Sequence, residues 1–360
     1  MPSFTVIVGS VSDKINHIIF IGDVPVVKMF TPTAGLQKPY LAYSDVLKAK
    51  FGCKVYKLTL DGGFTCPNRD GTKGVGGCTF CDETGSSSRA QNKKDSITAQ
   101  LEKNMERMRE RFHAEKFIAY FQSYTNTYSR VERLKRLYDE AMSVHSDIIG
   151  MSISTRPDCV DREKLALIAS YQKPDGYLCL EYGMQTIHDK TLALLNRCET
   201  HQDFLNTFSM TREYDIPICV HVILGLPGET REEMMRTASV LSAMKPDGVK
   251  IHLLCAMKNT PLEQQYLRGE WHPLEQDVYV GLVCDFIEHL DPAIAIHRIT
   301  GNGHRDGLVA PRWLLKKHEV LMQVEQEFLR RGTRQGTYPH PGGFFGAKLQ
   351  GASVLPKNLL

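Results

Sequence analysis

From about Phe51 onward the chain switches repeatedly between short apolar segments and longer segments with apolar residues at every third or fourth position. Lys54–Leu60 alternates like a strand and runs into a loop rich in Gly and Cys. Asp95 and Ser96 open a helix on which Ile97, Leu101, Met105, Met108 and Phe112 share a face. Further strands are expected at Phe117–Phe121, Ile148–Ile153, Tyr177–Glu181, Ile218–Leu224 and Val249–Leu254, with a short one within Ile294–Thr300. Helices are expected over Val131–Met142, Glu163–Ser170, Asp189–Asn196, Gln202–Tyr214 and Asp277–His289. Another is opened by a Thr230–Glu233 capping box and ends near Met244. A last helix spans Trp313–Arg331, with Leu314, Leu321, Val324 and Phe328 on one side.

This alternation predicts an α/β protein with a parallel sheet covered by helices. Its six strand–helix units match a partial (β/α)6 TIM-like barrel with a C-terminal helical extension. Residues 1–39, with Pro2, Pro25, Pro32 and Pro39 and no lasting period, read as a poorly ordered N-terminal extension. Residues 40–300 form the core, and 301–360 a basic helix followed by a loose Gly- and Pro-rich tail. In a barrel the chemistry sits where strands end. Polar clusters fall at those ends: the cysteine loop, Gln122–Asn126, Ser154–Asp158, Glu181 and Gly225–Glu229.

Composition narrows the class. With 42% hydrophobic and 24% charged residues, the 360-residue chain is globular. It holds no apolar run near the ~18 residues of a membrane span. Ten cysteines are too dilute for a disulfide scaffold, so the expectation is a soluble protein of the reducing cytoplasm. The net charge of +3 is uneven: His297–Leu360 carries ten basic against four acidic residues, and the preceding 296 residues carry 34 against 37. A basic tail fits either a polyanion partner or a solvated helix face.

Cys66, Cys78 and Cys81 lie in a loop whose glycines let the backbone wrap closely around a compact group. Three readings compete. A structural zinc site needs four ligands, and no second paired motif exists, although Asp70, Asp82 or a distant Cys would complete one. A thioredoxin-type pair would need its C-x-x-C at a helix start and has no use for a third Cys. A cubane iron–sulfur cluster on three cysteines leaves one iron open.

The string C-P-N-R-D-G…G-G-C-T-F-C from Cys66 to Cys81 is followed by Y-F-Q-S-Y-T-N-T-Y, S-I-S-T-R-P-D, L-E-Y-G-M-Q-T, H-V-I-L-G-L-P-G-E, K-I-H-L-L and H-R-I-T-G-N-G. As a set, these resemble the YhcC-like branch of radical S-adenosylmethionine (SAM) proteins, which is related to the catalytic subunit of Elongator. The resemblance runs from about Phe51 to Arg334. One departure is the eleven residues between Cys66 and Cys78, where the superfamily's usual motif is C-x3-C-x2-C.

The resemblance implies that Cys66, Cys78 and Cys81 hold a [4Fe-4S] cluster whose open iron binds SAM, and that reductive cleavage of SAM yields a 5′-deoxyadenosyl radical. It implies SAM contacts at Phe80 (adenine), Gln122 and Asn126 (the amino group), Ser154 and Arg156 (a carboxylate, or a substrate phosphate), Glu181 (ribose) and Gly225 and Pro227 (adenine). For Arg156 a pair with Asp158 is the alternative, and Phe80 could simply plug the loop. His221, His252 and Arg298 are expected to line the barrel, with no catalytic acid or base assigned. The implied substrate is a tRNA wobble-uridine side chain, with Arg305, Arg312, Lys316, Lys317, Arg330, Arg331 and Arg334 available to phosphates and a flavodoxin or ferredoxin as electron donor. The 59 residues after Gly301 are too few for the acetyltransferase domain of the Elongator relative. Radical chemistry on a protein or small molecule, and a non-catalytic zinc or iron–sulfur module that binds nucleic acid, remain as alternatives.

Overall fold

The computed structural model describes residues 20–21, 24–25, 38–85, 95–301 and 306–338. The chain divides into two units, Met1–Lys38 and Pro39–Leu360. In the first, Phe20–Ile21 pairs antiparallel with Val24–Pro25. Most of the expected N-terminal extension, the tail beyond Tyr338, Ser86–Ser88 and Arg305 lie outside the described residues.

The second unit is built on seven parallel strands in sequential order. They are β1 (Val55–Leu60), β2 (Lys116–Phe121), β3 (Ile148–Thr155), β4 (Tyr177–Gln185), β5 (Ile218–Leu224), β6 (Gly248–Leu253) and β7 (Ala295–Arg298). The sheet is curled into a half-barrel whose edge strands, β1 and β7, do not pair with each other. Helix α1 (Tyr43–Phe51) precedes β1. The crossovers carry α2 (Ile97–Phe112), α3 (Val131–Ser143), α4 (Arg162–Ala169), α5 (Asp189–Leu194), α6 (His201–Arg212), α7 (Arg231–Met244), α8 (Pro261–Leu267) and α9 (Gln276–Glu288). Helix α10 (Lys317–Arg331) ends the described fold. Thr200 and Thr230 each start their helix with a complete capping box.

The two faces of the sheet are chemically opposite. Leu58, Phe117, Phe121, Ile153, Leu180, Val220, Val222, Val249 and Ile251 pack outward in one buried cluster with the helices. The alternate positions turn into the barrel and are mostly polar: Lys57, Tyr120, Ser152, Glu181, His221 and Lys250 bond to one another there. Successive strand residues face opposite sides, so one period-2 pattern supplies both an apolar helix-facing core and a charged interior.

Helix α10 is tied down by charge. Arg331 meets Asp285 at 2.8 Å and Glu288 at 3.3 Å on α9, and also Glu327 at 2.8 Å. Arg330 pairs with Glu327, Lys316 with Glu319, and Arg312 donates to the Leu308 carbonyl. These basic residues were expected to face phosphates; Arg331 is instead held by three carboxylates of the fold, while Arg330 and Lys316 make pairs at the surface. No helix among the described residues is long and apolar enough to cross a membrane.

Candidate active site

The cysteine loop leaves β1 through Asp61–Phe64. The side chain of Gln100 bonds both the N–H and the carbonyl of Asp61, and Arg133 of α3 bonds the Gly62 and Gly63 carbonyls while lying over the Phe64 ring. The eleven residues after Cys66 are a folded excursion. Lys73 and Gly74 donate back to the Pro67 carbonyl, Asp70 pairs with Val75, and Gly77 donates to Asn68. Cys78 thereby lines the same cavity as Cys66 despite the long spacing. The C-x-x-C turn closes on itself through Cys81 N–H to Cys78 O, and Thr79 is bonded to Leu195 and Leu262 on either side.

All three thiols line one cavity of about 240 Å³ at the C-terminal end of the strands, together with Phe80, Gln122, Ser154 and Arg156. The donors to the Cys78 sulfur come from the cysteine loop itself and from a distant one. Asn68 Nδ2 and Arg197 Nη1 each donate to Cys78 Sγ at 3.6 Å. Arg69 donates to the Cys81 and Asp82 carbonyls at 2.6 and 2.5 Å. Asn196, with φ of +53°, bonds the Val75 and Gly77 carbonyls and so holds the Arg197 loop on the cysteine loop.

The donor set suits a cluster better than a single ion. Among the described residues, the one trio of His, Cys or carboxylate groups with ligand atoms within 4.8 Å of one another is Glu181, Cys219 and His221. The three loop thiols are thus spread more widely than one zinc coordination sphere requires. N–H donors aimed at Cys78 sulfur match a thiolate that carries charge to iron.

Arg156 follows β3 and is 4% exposed. Its pair with Asp158, at 2.8 and 2.9 Å, and its contact with Glu199 at 3.1 Å are buried rather than superficial. Burial alone would raise Asp158; the hydrogen bonds and charge of Arg156, then of Lys73, hold it at about 2. Arg156 Nη1 remains buried with no partner in the protein, a donor available at the cavity wall.

Glu181 departs from expectation. β4 continues to Gln185, so Glu181 lies in mid-strand, fully buried inside the barrel. Its Oε1 accepts from Lys57 and Ser152, both at 2.5 Å; its Oε2 accepts from Tyr120 at 3.0 Å, His221 at 2.8 Å and Lys250 at 2.5 Å. Both oxygens are taken, which leaves no acceptor for a ribose hydroxyl. Burial opposes ionisation, but the charges of Lys250 and Lys57 outweigh it and hold the carboxyl well below the usual range. His221 is pushed down to about 4 by burial and then by Lys250, so a neutral imidazole donates through Nε2. Lys250 is lowered by burial, aided by Lys57 and Arg298 and countered by Glu181.

Three other expected contacts stand back from the cavity. Asn126 is buried behind its wall, donating to the Ser154 carbonyl at 2.8 Å. Gly225 (φ +79°) is covered by Leu274, whose Cδ1 lies 2.8 Å from where a Cβ would stand, and neither Gly225 nor Pro227 lines the cavity. Phe80 lines the cavity and packs against the Leu195, Ile223, Leu226 and Trp271 cluster. His221, His252 and Arg298 do face the cavity. Arg69, Arg197, Tyr120 and Lys250 are additions: the loop arginines follow no hydrophobic period, and the last two are the polar halves of strand alternations.

A curled parallel half-barrel with three thiols at its C-terminal mouth defines the radical SAM class. Residues 66–241 match the model of the radical SAM superfamily, and 246–330 that of its C-terminal domain. The chain is 40% identical to the uncharacterized protein YtqA of Bacillus subtilis, over 85% of this chain and 95% of the relative. It is 35% identical to protein YhcC of Escherichia coli, over 85% and 97%. A tRNA uridine(34) acetyltransferase of Dehalococcoides mccartyi is 25% identical over 42% of this chain and 33% of the relative. The structure of Elp3 from Methanocaldococcus infernus shares the fold, with a TM-score of 0.58 at 16% identity over 78% of this chain and 64% of that one. The chain belongs to the radical SAM superfamily. It is a radical SAM enzyme, using a [4Fe-4S] cluster and SAM.

Proposed function

We propose that Cys66, Cys78 and Cys81 ligate the cluster and that the enzyme modifies the side chain of the wobble uridine of tRNA in the cytoplasm. The observation that carries this reading is the convergence of the three thiols on a cavity that continues into the barrel interior. When bound, the cluster and SAM supply one-electron cleavage of the sulfur–C5′ bond, giving methionine and a 5′-deoxyadenosyl radical that abstracts hydrogen from the substrate.

The chain's own residues do the positioning. Asn68 and Arg197 orient the Cys78 thiolate and offset its charge. Arg156 Nη1 is the free donor for the SAM carboxylate, with Gln122 and Ser154 on the same wall and Phe80 against the adenine. Leu253, Leu254 and Met257 make part of the cavity apolar, which limits water around a reactive radical. A flavodoxin or ferredoxin supplies the electron.

The tRNA assignment draws on the named activity of the distant uridine(34) relative. Mass spectrometry of tRNA nucleosides from a deletion strain tests it: a wobble-uridine intermediate should accumulate, and an unchanged profile removes tRNA as substrate. Radical chemistry on a small molecule is a second reading. It is favoured by the carboxylates of Asp285, Glu288 and Glu327, which hold Arg331 and leave one fewer cation for a phosphate backbone.

A further inference from the structure

We propose that the inner end of the cavity is an anion-binding floor, built by Arg298 and Lys250 with the imidazole of His252, and that it receives a compact anionic group of the substrate, a carboxylate or a phosphate. The proposal rests on the radical SAM reading of the same cavity and names the substrate chemistry that reading leaves open.

Charge inside the barrel does not balance. Lys57 and Lys250 both lean on Glu181, whose oxygens already accept from five groups. Arg298, at the end of β7, adds a third cation. Among the described residues no carboxylate stands within ion-pair distance of it; Tyr120, Glu181 and Cys219 act on it only as nearby charges or potential charges. Three cations thus stand around one carboxylate inside the barrel.

The surplus is local. Arg156, on the same cavity, is matched by Asp158 and Glu199. Arg331, outside the barrel, is matched by Asp285, Glu288 and Glu327. Arg298 is half-buried, and a bound anion would give its guanidinium the counter-ion that the described residues do not. Its planar fork suits a carboxylate or phosphate through two parallel hydrogen bonds.

Two neighbours point the same way. His252 Nε2 is buried with no partner in the protein, and its ring lies 5.3 Å from that of His221. Both imidazoles are lowered by burial and nearby cations and stay neutral; His221 spends its one N–H on Glu181, whereas His252 can offer its own to an anion. Lys317 of α10 is close enough for the Arg298 charge to lower it further after burial. The field at the floor is positive from several elements at once.

The test uses the full chain without SAM. The thermal midpoint is followed as sodium acetate or sodium phosphate is titrated at constant ionic strength, with chloride as the balance. Wild type should show a saturable rise with one of the two, and the stronger identifies carboxylate or phosphate as the group recognised. Arg298→Gln should weaken that response at least about tenfold, and Arg298→Lys should restore part of it. No ion-specific rise in wild type, or an undiminished rise in Arg298→Gln, overturns the proposal. Should Arg298→Gln not fold, bromide-soaked wild-type crystals decide: an anomalous peak within hydrogen-bond distance of the Arg298 guanidinium supports the floor, and peaks only elsewhere reject it. Reductive cleavage of SAM is measured separately. Anion binding without cleavage would sink the radical reading alone; cleavage without anion binding would sink the floor alone.

Discussion

Arg197 Nη1 donates to the sulfur of Cys78 across 3.6 Å, although the two residues are 119 positions apart. The same guanidinium bonds the Gly183 carbonyl at 2.6 Å and Glu199, so it is fixed before any metal arrives. A cation and hydrogen-bond donor at a cluster sulfur favours the reduced, more negative state. Arg197→Met should therefore retain iron while shifting the reduction potential downward. A redox titration followed by electron paramagnetic resonance reads this, and an unchanged potential would show that the contact does not tune the cluster.

The folded excursion between Cys66 and Cys78 depends on Asn196. Its Nδ2 bonds two carbonyls of the cysteine loop, and its backbone is left-handed. Asn196→Ala loses both bonds and with them the polar side chain that lets Asn tolerate the left-handed region better than Ala, a combined cost of about 2 kcal/mol. Iron bound per chain after reconstitution should fall together with the thermal midpoint. Full iron loading in a stable variant would mean the loop closes without this clasp.

Glu181 is the carboxylate that Lys57 and Lys250 share inside the barrel. Glu181→Gln leaves Lys57 and Lys250 buried without their carboxylate. Breaking such a pair on one side costs about 3–5 kcal/mol. Urea unfolding should show that loss, and a loss below about 1 kcal/mol, the range of an exposed ion pair, would indicate that water already screens the group.

His221 gives the acid response a definite sign. Its folded pKa of about 4 lies below the ordinary histidine value of about 6.5. Below pH 6.5 the unfolded chain takes up a proton that the folded chain refuses. The contribution is therefore fully present above 6.5 and is lost progressively as pH falls towards 4, by about 3 kcal/mol in total. His252 and His297 are lowered in the same direction and steepen the fall. His221→Gln keeps a donor for Glu181 but cannot titrate, so its stability should fall less steeply between pH 6.5 and 4.5. Parallel slopes for the variant and wild type would contradict this assignment.

The strand order, the cysteine trio and the membership of the family were readable because each rests on local pattern. The alternation at Val249–Leu254 and Ile218–Leu224 marks β6 and β5 to within a residue. What stayed hidden lies where polar residues point inward. A strand such as β1 reads as apolar core against polar solvent, yet Lys57 is inside the barrel, because the interior of this sheet is itself polar. That inversion also explains Glu181, placed at a strand end by sequence although β4 continues through Gly183 to Gln185. Helix α1 carries a weak signal because only Leu47 is buried along it, and α8 because it is a two-turn helix opened by Thr260 and Pro261. The contact between Arg197 and Cys78 had no signature in sequence: a loop brings them together by its left-handed turns at Asn196 and Cys198.

The most direct test of the central claim is reductive cleavage of SAM by the purified protein. After anaerobic reconstitution with iron and sulfide, wild type given SAM and a strong low-potential reductant should release 5′-deoxyadenosine and methionine in equal amounts, and a Cys78→Ala variant none. A wild-type protein that carries its iron–sulfur cluster, receives electrons and yields no 5′-deoxyadenosine would contradict the account.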